Sequence, residues 1–268
     1  MADTLVKGQR SAVTGQDTPM LELNAIDSGY AGTVVVRGIS FRVPRGAAVA
    51  LLGANGAGKT TTLRTAAGLL RPVKGQVLLD GEDVTRMSAS RRAAKGMCLI
   101  PEGRGIFPSL TVRESLILYG RRGKAKDTVD RAVSAFPVLA ERLSQVTGTL
   151  SGGEQQMLSL ARAYVTEPRI VLVDEASIGL APLIVDQIFE FLAQLLTESI
   201  SILLVEQYVG RALELVSQVE VMEHGTIVLS GKPAEIDESE LSRAYLGTDP
   251  SLTQDGRTID GSAATAQC

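Results

Sequence analysis

The chain has 268 residues, of which 27 are Lys or Arg and 30 are Asp or Glu, so its formal net charge is −3. It contains one His and two Cys, which excludes a histidine-rich metal site and a disulfide framework. The slightly acidic balance argues against binding nucleic acid through a broad basic surface. The longest apolar runs fall short of the ~18 residues that span a bilayer, so we expect no membrane-spanning helix.

The two ends of the chain are polar. Residues 1–20 contain no apolar stretch of signal-peptide length, and residues 248–268 are rich in Asp, Gly, Ser, Thr and Gln. We therefore expect a flexible N-terminal arm over residues 1–20, one domain over residues 21–247 and a flexible C-terminal tail over residues 248–268. The domain begins with two segments, Leu21–Ile26 and Val34–Val43, that are typical of antiparallel strands.

Short apolar strands then alternate with helical patterns. The strands are predicted at Ala48–Leu52, Gln76–Leu79, Met97–Ile100, Ile170–Val173 and Ser201–Val205. The helices are predicted at Lys59–Leu70, Thr111–Tyr119, Glu154–Val165 and from Pro182 onward. Strands that are apolar throughout and separated by helices indicate a parallel sheet covered on both faces, so the predicted fold class is α/β.

Two further regions complete the predicted domain. Residues 111–151 are helical in pattern and contain no strand, which indicates a helical insertion. Val219–Met222 and Thr226–Leu229 are typical of a hairpin, and its turn contains His224-Gly225. Histidine visits left-handed backbone angles more readily than most residues, so this pair can serve much as Asn-Gly does. We therefore expect the single histidine to form a turn and not to act in catalysis.

A phosphate-binding loop is predicted between the first apolar strand and the helix after it. The chain reads Gly53-Ala54-Asn55-Gly56-Ala57-Gly58-Lys59-Thr60 there, the GxxxxGK(S/T) pattern. Its glycines let backbone N–H groups turn inward around phosphate oxygens, and the positive end of the helix faces the same anion. We expect Lys59 to reach the β and γ phosphates, Thr60 to bind Mg²⁺ and Thr61 to contact the α phosphate.

An acidic pair closes a later apolar strand. Asp174 and Glu175 follow Ile170–Val173, and the carboxyl ends of parallel strands open on the ligand crevice. Asp174 can hold Mg²⁺ through its water shell, and Glu175 can accept a proton from an attacking water. An acid after a strand is often only a helix cap. Combined with a phosphate loop, however, this pair predicts hydrolysis of a nucleotide phosphate.

A second glycine segment precedes the helix predicted at Glu154–Val165. Ser151 and Glu154 fit a capping box, S-x-x-E. A capping box does not explain Gly152 and Gly153, because each glycine costs up to ~1 kcal/mol of helix propensity in the first turn. Glycines at a helix N-terminus expose backbone N–H groups, so we predict that Ser151–Gly153 contact a phosphate.

The LSGGEQQ segment at residues 150–156, the phosphate loop and the VLVDEAS segment at residues 171–177 together resemble the nucleotide-binding subunit of ATP-binding cassette (ABC) transporters. The resemblance implies a P-loop NTPase fold with a mainly parallel core sheet, an N-terminal antiparallel β subdomain and a helical subdomain at about residues 103–160. It also implies ATP with Mg²⁺, and a head-to-tail dimer in which Ser151–Gly153 of one subunit contact the ATP on the other's phosphate loop. Tyr30 matches the family's aromatic that stacks on adenine, or is an ordinary loop-edge tyrosine.

Two positions depart from the usual pattern of the family. Glu102 stands where the family usually has a Gln that senses Mg²⁺ and the attacking water; a carboxylate there would bind the metal more strongly and repel the γ phosphate, or it simply faces solvent. Gln207 stands where the family usually has a His that contacts the γ phosphate. The residues assigned to catalysis are Glu175, Lys59 and Gln207. The residues assigned to the metal are Thr60, Asp174 and Glu102.

The PEGR segment (residues 101–104), SIGLAP (177–182) and VEQ (205–207) resemble one branch of the family, the second ATP-binding subunit of branched-chain amino acid importers. Urea and amide importers are close relatives of that branch. The resemblance implies a peripheral protein on the cytoplasmic face of the cell membrane. Its expected partners are a different ATP-binding subunit, integral membrane permease subunits and, indirectly, a solute-binding protein. Phe107 lies where the family docks its membrane partner, although a large aromatic can equally belong to the core.

Two other classes of protein also contain phosphate loops. A soluble ABC protein acting on nucleic acid or ribosomes usually has two cassettes or a coiled-coil insertion, whereas this chain has one cassette and no heptads. A P-loop kinase or other phosphotransferase would leave the LSGGEQQ segment unexplained. We therefore expect an importer ATPase without a nucleic-acid partner. Co-purification with a membrane protein, co-purification with RNA or DNA, or formation of a phosphorylated small molecule would separate the three functions.

Overall fold

The structure, a computed structural model, describes residues 18–120 and 123–236. The strands are β1 (Leu21–Tyr30), β2 (Thr33–Val43), β3 (Ala48–Leu52), β4 (Lys74–Leu79), β5 (Glu82–Asp83), β6 (Met97–Ile100), β7 (Ile170–Asp174), β8 (Ser201–Val205), β9 (Gln218–Glu223) and β10 (Thr226–Gly231). The α-helices are α1 (Lys59–Ala67), α2 (Ala89–Ala94), α3 (Val112–Tyr119), α4 (Ala125–Ala135), α5 (Gly152–Thr166), α6 (Pro182–Thr197) and α7 (Val209–Leu215). The flexible tail predicted at residues 248–268 and most of the arm predicted at residues 1–20 lie outside the described residues.

The strands form two sheets. The larger sheet has the order β10-β9-β3-β8-β7-β6, and all neighbouring pairs in it are parallel except the β9–β10 hairpin. The smaller sheet has the order β2-β1-β4-β5 and is antiparallel throughout. The predicted α/β fold, with a mainly parallel core sheet and an antiparallel N-terminal part, is therefore confirmed.

The central strands are buried because their side chains meet helices or the second sheet on both faces. Every residue of β3, β7 and β8 is buried, as expected for strands inside a parallel sheet. Alternate residues enter two different cores. Val49 and Leu51 pack in the core that contains α1 and the smaller sheet, whereas Ala50 and Leu52 pack in the core that contains α5 and α6.

Three helices, α3, α4 and α5, pack on one another beside the larger sheet. Phe136, which follows α4, lies with its ring centroid 4.9 Å from that of Phe191 on α6 and links these helices to the rest of the molecule. None of the helices within residues 18–120 and 123–236 is both long enough and apolar enough to cross a membrane.

Helix α1 is shorter than its sequence pattern predicts. It ends at Ala67 because Gly68 adopts a left-handed conformation, with φ of 79°, and its N–H donates to Thr65 O. The N–H of Leu69 then returns to Arg64 O at 2.9 Å. This arrangement is a common helix C-terminus and favours glycine at the left-handed position. The predicted helical segment to Leu70 is therefore wrong in its last three residues.

Candidate active site

The phosphate loop joins β3 to α1 in a conformation that requires glycine. Gly53 and Gly58 have φ of 141° and 105°, a region that side chains rarely allow. A β-carbon on Gly53 would lie 2.2 Å from Met222 O, and one on Gly58 would lie 2.5 Å from Val36 Cγ1. Because both neighbours are fixed in strands, neither position accepts a larger residue.

The hairpin turn between β9 and β10 packs against this loop and is hydrogen-bonded to it. His224 and Gly225 have φ of 47° and 82°, so the predicted left-handed turn at the single histidine is confirmed. The N–H of Gly225 donates to Ala57 O at 3.0 Å, and Gly225 O accepts from Arg37 N at 2.8 Å. The turn therefore fixes the loop to the smaller sheet.

Lys59, the first residue of α1, folds back over the loop. Its Nζ donates to the carbonyl oxygens of Gly53 at 2.8 Å and Ala54 at 3.1 Å. The same Nζ lies 3.8 Å from Oε1 of Glu175. Burial lowers the pKa of Lys59, and the nearby charges of Glu175 and Asp174 partly oppose this shift. The ammonium thus lies where a bound phosphate would contact both it and the loop.

The N-terminus of α1 is available to an anion. Its capping residue is Gly58, and within the described residues no side chain caps the first turn. The backbone N–H groups at the start of a helix have no partner inside the helix and carry its positive end. A phosphate in the loop would accept from them, as the sequence pattern predicts for this segment.

Thr60 and Asp174 bring two oxygen ligands together. Thr60 Oγ1 donates to Asp174 Oδ1 at 3.0 Å, and only 2% of Asp174 is exposed. Burial raises the pKa of Asp174, the hydrogen bond from Thr60 lowers it, and the charges of Glu175 and Glu102 raise it. A hydroxyl and a carboxylate are hard oxygen donors that suit Mg²⁺ when phosphate oxygens and waters complete its shell. The residues present therefore fit the predicted metal.

Glu175 is held at the mouth of the cleft by its backbone and its side chain. Its φ is 49°, and its N–H donates to Val205 O at 2.9 Å. Its Oε2 accepts from Nε2 of Gln207 at 3.0 Å. The carboxylate, 11% exposed, is therefore oriented by β8 and by the residue that stands in the usual histidine position.

One cleft of about 350 Å³ collects most of the predicted residues. The residues that line it are Val35, Asn55, Gly56, Gly58, Lys59, Thr60, Thr61, Glu102, Glu175, Ile178 and Gln207. Glu102 is exposed in the loop after β6 and faces this cleft. Val35 and Ile178 were not identified from the sequence, because an apolar residue in a strand or loop carries no signal for a nucleotide.

Tyr30 lies at the end of β1, outside the residues that line the cleft. It is 40% exposed, and its hydroxyl accepts from Arg64 Nη1 at 3.4 Å. Arg64 belongs to α1, so the ring stands beside the helix that follows the phosphate loop. This position is compatible with stacking on a base and with an ordinary loop-edge tyrosine.

The second glycine segment, Ser151–Gly153, lies at a different cleft of the same chain, here called the signature cleft. Ser151 forms a complete capping box with Glu154: Glu154 N donates to Ser151 Oγ at 3.2 Å, and Ser151 N donates to Glu154 Oε2 at 2.8 Å. A β-carbon on Gly152 would lie 2.8 Å from Arg104 Nη2, and one on Gly153 would lie 3.1 Å from Ile184. Close packing against Ile184 is thus a second reason for Gly153, whereas Gly152 is crowded only by the end of the long Arg104 side chain.

The structure therefore does not bring Ser151–Gly153 and the phosphate loop together within one chain. The residues that line the signature cleft include Ser151, Gly152, Gly153, Leu180, Ala181 and Ile184, and none of them lines the phosphate-loop cleft. Sequence reasoning also did not identify Ser177 and Glu206, which are hydrogen-bonded to each other beside Glu175.

Comparisons with known proteins agree with this geometry. Residues 36–178 match the family model described as "ABC transporter". The chain is 38% identical to the high-affinity branched-chain amino acid transport ATP-binding protein BraG of Pseudomonas aeruginosa, over 85% of this chain and 100% of that protein. It is 32% identical to the probable branched-chain amino acid transport ATP-binding protein LivF of Archaeoglobus fulgidus, over 82% of this chain and 95% of that protein.

A solved structure described as an ATP-binding subunit of an ABC transporter superimposes with a TM-score of 0.73 at 25% identity, covering 83% of this chain and 98% of that one. The fold, the phosphate loop and the similar proteins thus all indicate the same family. The chain belongs to the ABC transporter family, in which it is the ATP-binding and ATP-hydrolysing component.

Proposed function

We propose that this chain hydrolyses MgATP to drive an importer of branched-chain amino acids or of related small polar solutes. The single observation that supports the chemistry is the convergence of Lys59, Thr60, Glu175 and Gln207 on one cleft, where Thr60 is hydrogen-bonded to the buried Asp174. These groups can bind a triphosphate, hold a divalent cation and orient a base beside the γ phosphate.

In the proposed reaction, water attacks the γ phosphate in line with the leaving oxygen. Glu175 accepts the proton of this water, and Gln207 fixes the carboxylate through Nε2. Lys59 and the N-terminal amides of α1 stabilise the charge that develops on the phosphate oxygens. Thr60, Asp174 and Glu102 would hold Mg²⁺, which would neutralise phosphate charge when bound.

A second subunit is part of the proposal. Ser151–Gly153 lie at a separate cleft of their own chain, so they can serve ATP hydrolysis only if they face the phosphate loop of another subunit. This arrangement supports the head-to-tail dimer that the sequence motifs imply. We further propose that the partner is a different ATP-binding subunit, since the resemblance is to a branch of the family that pairs unlike subunits.

The transported solute is inferred from the relatives. Both named relatives are described as branched-chain amino acid transport ATP-binding proteins, and the chain covers nearly their full length. In this proposal the chain sits on the cytoplasmic face of the membrane and contacts permease subunits that receive solute from a binding protein. Phe107, which is 46% exposed, is the proposed contact with the permease.

Uptake in cells tests the transport proposal. Cells that lack this chain should lose high-affinity uptake of labelled leucine, isoleucine and valine. The wild-type chain should restore that uptake, and Lys59→Ala should not. Purification of the intact complex should yield integral membrane subunits. Loss of urea or amide uptake alone would assign the solute to the related importers, and co-purification of RNA without membrane subunits would contradict the proposal.

A further inference from the structure

A buried carboxylate lies directly behind the proposed base. Glu206 follows β8 and is only 1% exposed. Burying a carboxylate is costly unless hydrogen bonds or charges compensate it. Since Glu206 faces the interior beside Glu175 and Gln207, its partners show what it holds in place.

Glu206 accepts three hydrogen bonds from two catalytic segments. Its Oε1 accepts from the backbone N–H of Ser177 at 3.1 Å. Its Oε2 accepts from the hydroxyl of Ser177 and from the backbone N–H of Gln207 at 3.3 Å. Ser177 is itself fully buried, so this contact is shielded from water. Glu206, which directly precedes Gln207, therefore joins its own segment to the segment after Glu175.

These bonds fix Glu175 from both sides. Its own N–H is held by Val205 O at 2.9 Å, one residue before Glu206. The chain two residues after it is held at Ser177 by Glu206. Its Oε2 is held by Gln207, whose backbone donates to Glu206. A left-handed residue such as Glu175, with φ of 49°, persists only where its surroundings fix it.

We propose that Glu206 is a positioning residue for ATP hydrolysis: it joins Ser177 to Gln207 and so holds the Glu175 carboxylate in its catalytic orientation. This inference rests on the roles proposed above for Glu175 and Gln207. Glu206 does not line the cleft, so it acts through these two residues and not on the nucleotide. A misplaced base lowers turnover strongly while leaving nucleotide binding nearly intact.

The molecule contains a matched control. Glu220 on β9 is also only 1% exposed and also accepts a hydrogen bond from a serine hydroxyl, that of Ser230. Its other side-chain partner is Gln218, and neither partner lines the cleft. Burial raises the pKa of both Glu206 and Glu220. The two carboxylates therefore differ mainly in what they hold.

The test uses the purified intact transporter complex in which this chain carries Glu206→Gln, Ser177→Ala or Glu220→Gln, and measures kcat, KM, ATP affinity and thermal unfolding. We expect Glu206→Gln to lower kcat by about 10–10²-fold, with KM and ATP affinity within about threefold of wild type. Ser177→Ala should lower kcat by a smaller factor. In the double variant, Glu206→Gln with Ser177→Ala, the fold-decrease in kcat should be smaller than the product of the two single fold-decreases, because both substitutions remove the same contact. Glu220→Gln should retain wild-type kcat.

Two results would overturn the inference: wild-type kcat in a folded Glu206→Gln variant, or equal losses in Glu206→Gln and Glu220→Gln. If Glu206→Gln does not fold, Ser177→Ala decides the matter, and unchanged kcat in that variant contradicts the positioning role. Glu175→Gln is measured in parallel. Wild-type kcat in Glu175→Gln would refute the base assignment itself. A low kcat in Glu175→Gln together with a wild-type kcat in Glu206→Gln would refute only the positioning role.

Discussion

Helices α1 and α5 both begin at glycine-containing segments, but their first turns are satisfied in different ways. At α1 the capping residue is Gly58, and no described side chain caps the turn. At α5 Ser151 and Glu154 form a complete capping box, which uses the amides of Ser151 and Glu154 and leaves those of Gly152 and Gly153 outside it. The first helix therefore stays open to an anion bound by its own chain.

The difference shows how one chain can supply two unlike halves of a nucleotide site. The α1 end has Lys59, Thr60 and the base Glu175 in the same cleft, with Asp174 hydrogen-bonded to Thr60 behind it. The N-terminus of α5 has Gly152, Gly153 and the capping residue Ser151. Arg104 lies beside them, and its guanidinium donates to Gln155. A phosphate at α5 would thus find hydrogen-bond donors, while the carboxylate there, Glu154, is already bound to Ser151 and Arg142. This is the contribution expected of a partner that closes over an already assembled site.

The largest expected effect comes from removing the base on the α1 side. Glu175→Gln should lower kcat by about 10²–10⁴-fold, because an amide cannot accept the proton of the attacking water. ATP affinity should be retained, and a dimer with bound ATP should accumulate in size-exclusion chromatography. Glu141→Gln, a substitution of an exposed acid away from the cleft, is the control and should leave both measurements unchanged. Full turnover in Glu175→Gln would contradict the assignment.

The next effect is on binding. Lys59→Ala should weaken ATP binding by about 10²-fold, since it removes charge-assisted hydrogen bonds worth ~1.5–3 kcal/mol each. Isothermal titration with ATP measures this loss. Lys95→Ala is the matched control, because Lys95 is paired with Glu82 on the surface. Equal affinities in the two variants would mean that Lys59 does not contact phosphate.

The large elements and the phosphate-loop cleft follow from local sequence patterns. Strands β3, β6 and β8 have the predicted bounds, because strands inside a parallel sheet form nearly continuous apolar runs. The short helices α2 and α7 were not predicted, since six and seven residues carry too few apolar positions to show a period. The phosphate loop could be predicted because a glycine-rich turn followed by Lys and Thr occupies only eight consecutive residues.

The contact between Ser177 and Glu206 could not be predicted in the same way. The two residues are 29 positions apart and meet only because β7 and β8 are neighbours in the sheet. From the sequence alone, Glu206 is an acid after a strand, which is usually solvent-exposed or a helix cap. Strand order, which local patterns do not determine, turns it into a buried link behind the base.

A third prediction compares α5 with α3, which carries the same kind of cap. Thr111 and Glu114 form a complete capping box at α3, as Ser151 and Glu154 do at α5. Ser151→Ala and Thr111→Ala should each lower the free energy of unfolding by about 0.5–2 kcal/mol. Only Ser151→Ala should also lower kcat, by about tenfold, if its hydroxyl contacts the partner's ATP. Thermal unfolding and ATPase assays of both variants separate the two effects, and equal kcat would remove the phosphate role of Ser151.

The smallest expected effect is the pH dependence of the α5 cap. The hydrogen bond from the Ser151 backbone, followed by that from Arg142, lowers the pKa of Glu154. A carboxyl whose pKa is lower in the folded chain stabilises the fold above its unfolded value of about 4.3, and this contribution disappears as the pH falls through the folded pKa. Wild type should therefore exceed Glu154→Gln in urea stability at pH 7, and the two should converge in more acidic buffer. Glu114→Gln should show a weaker form of the same trend, because Arg142 lies 2.9 Å from Glu154 whereas only Thr111 lowers the pKa of Glu114. A constant difference between wild type and Glu154→Gln at all pH values would mean that the charge of Glu154 contributes nothing to the cap.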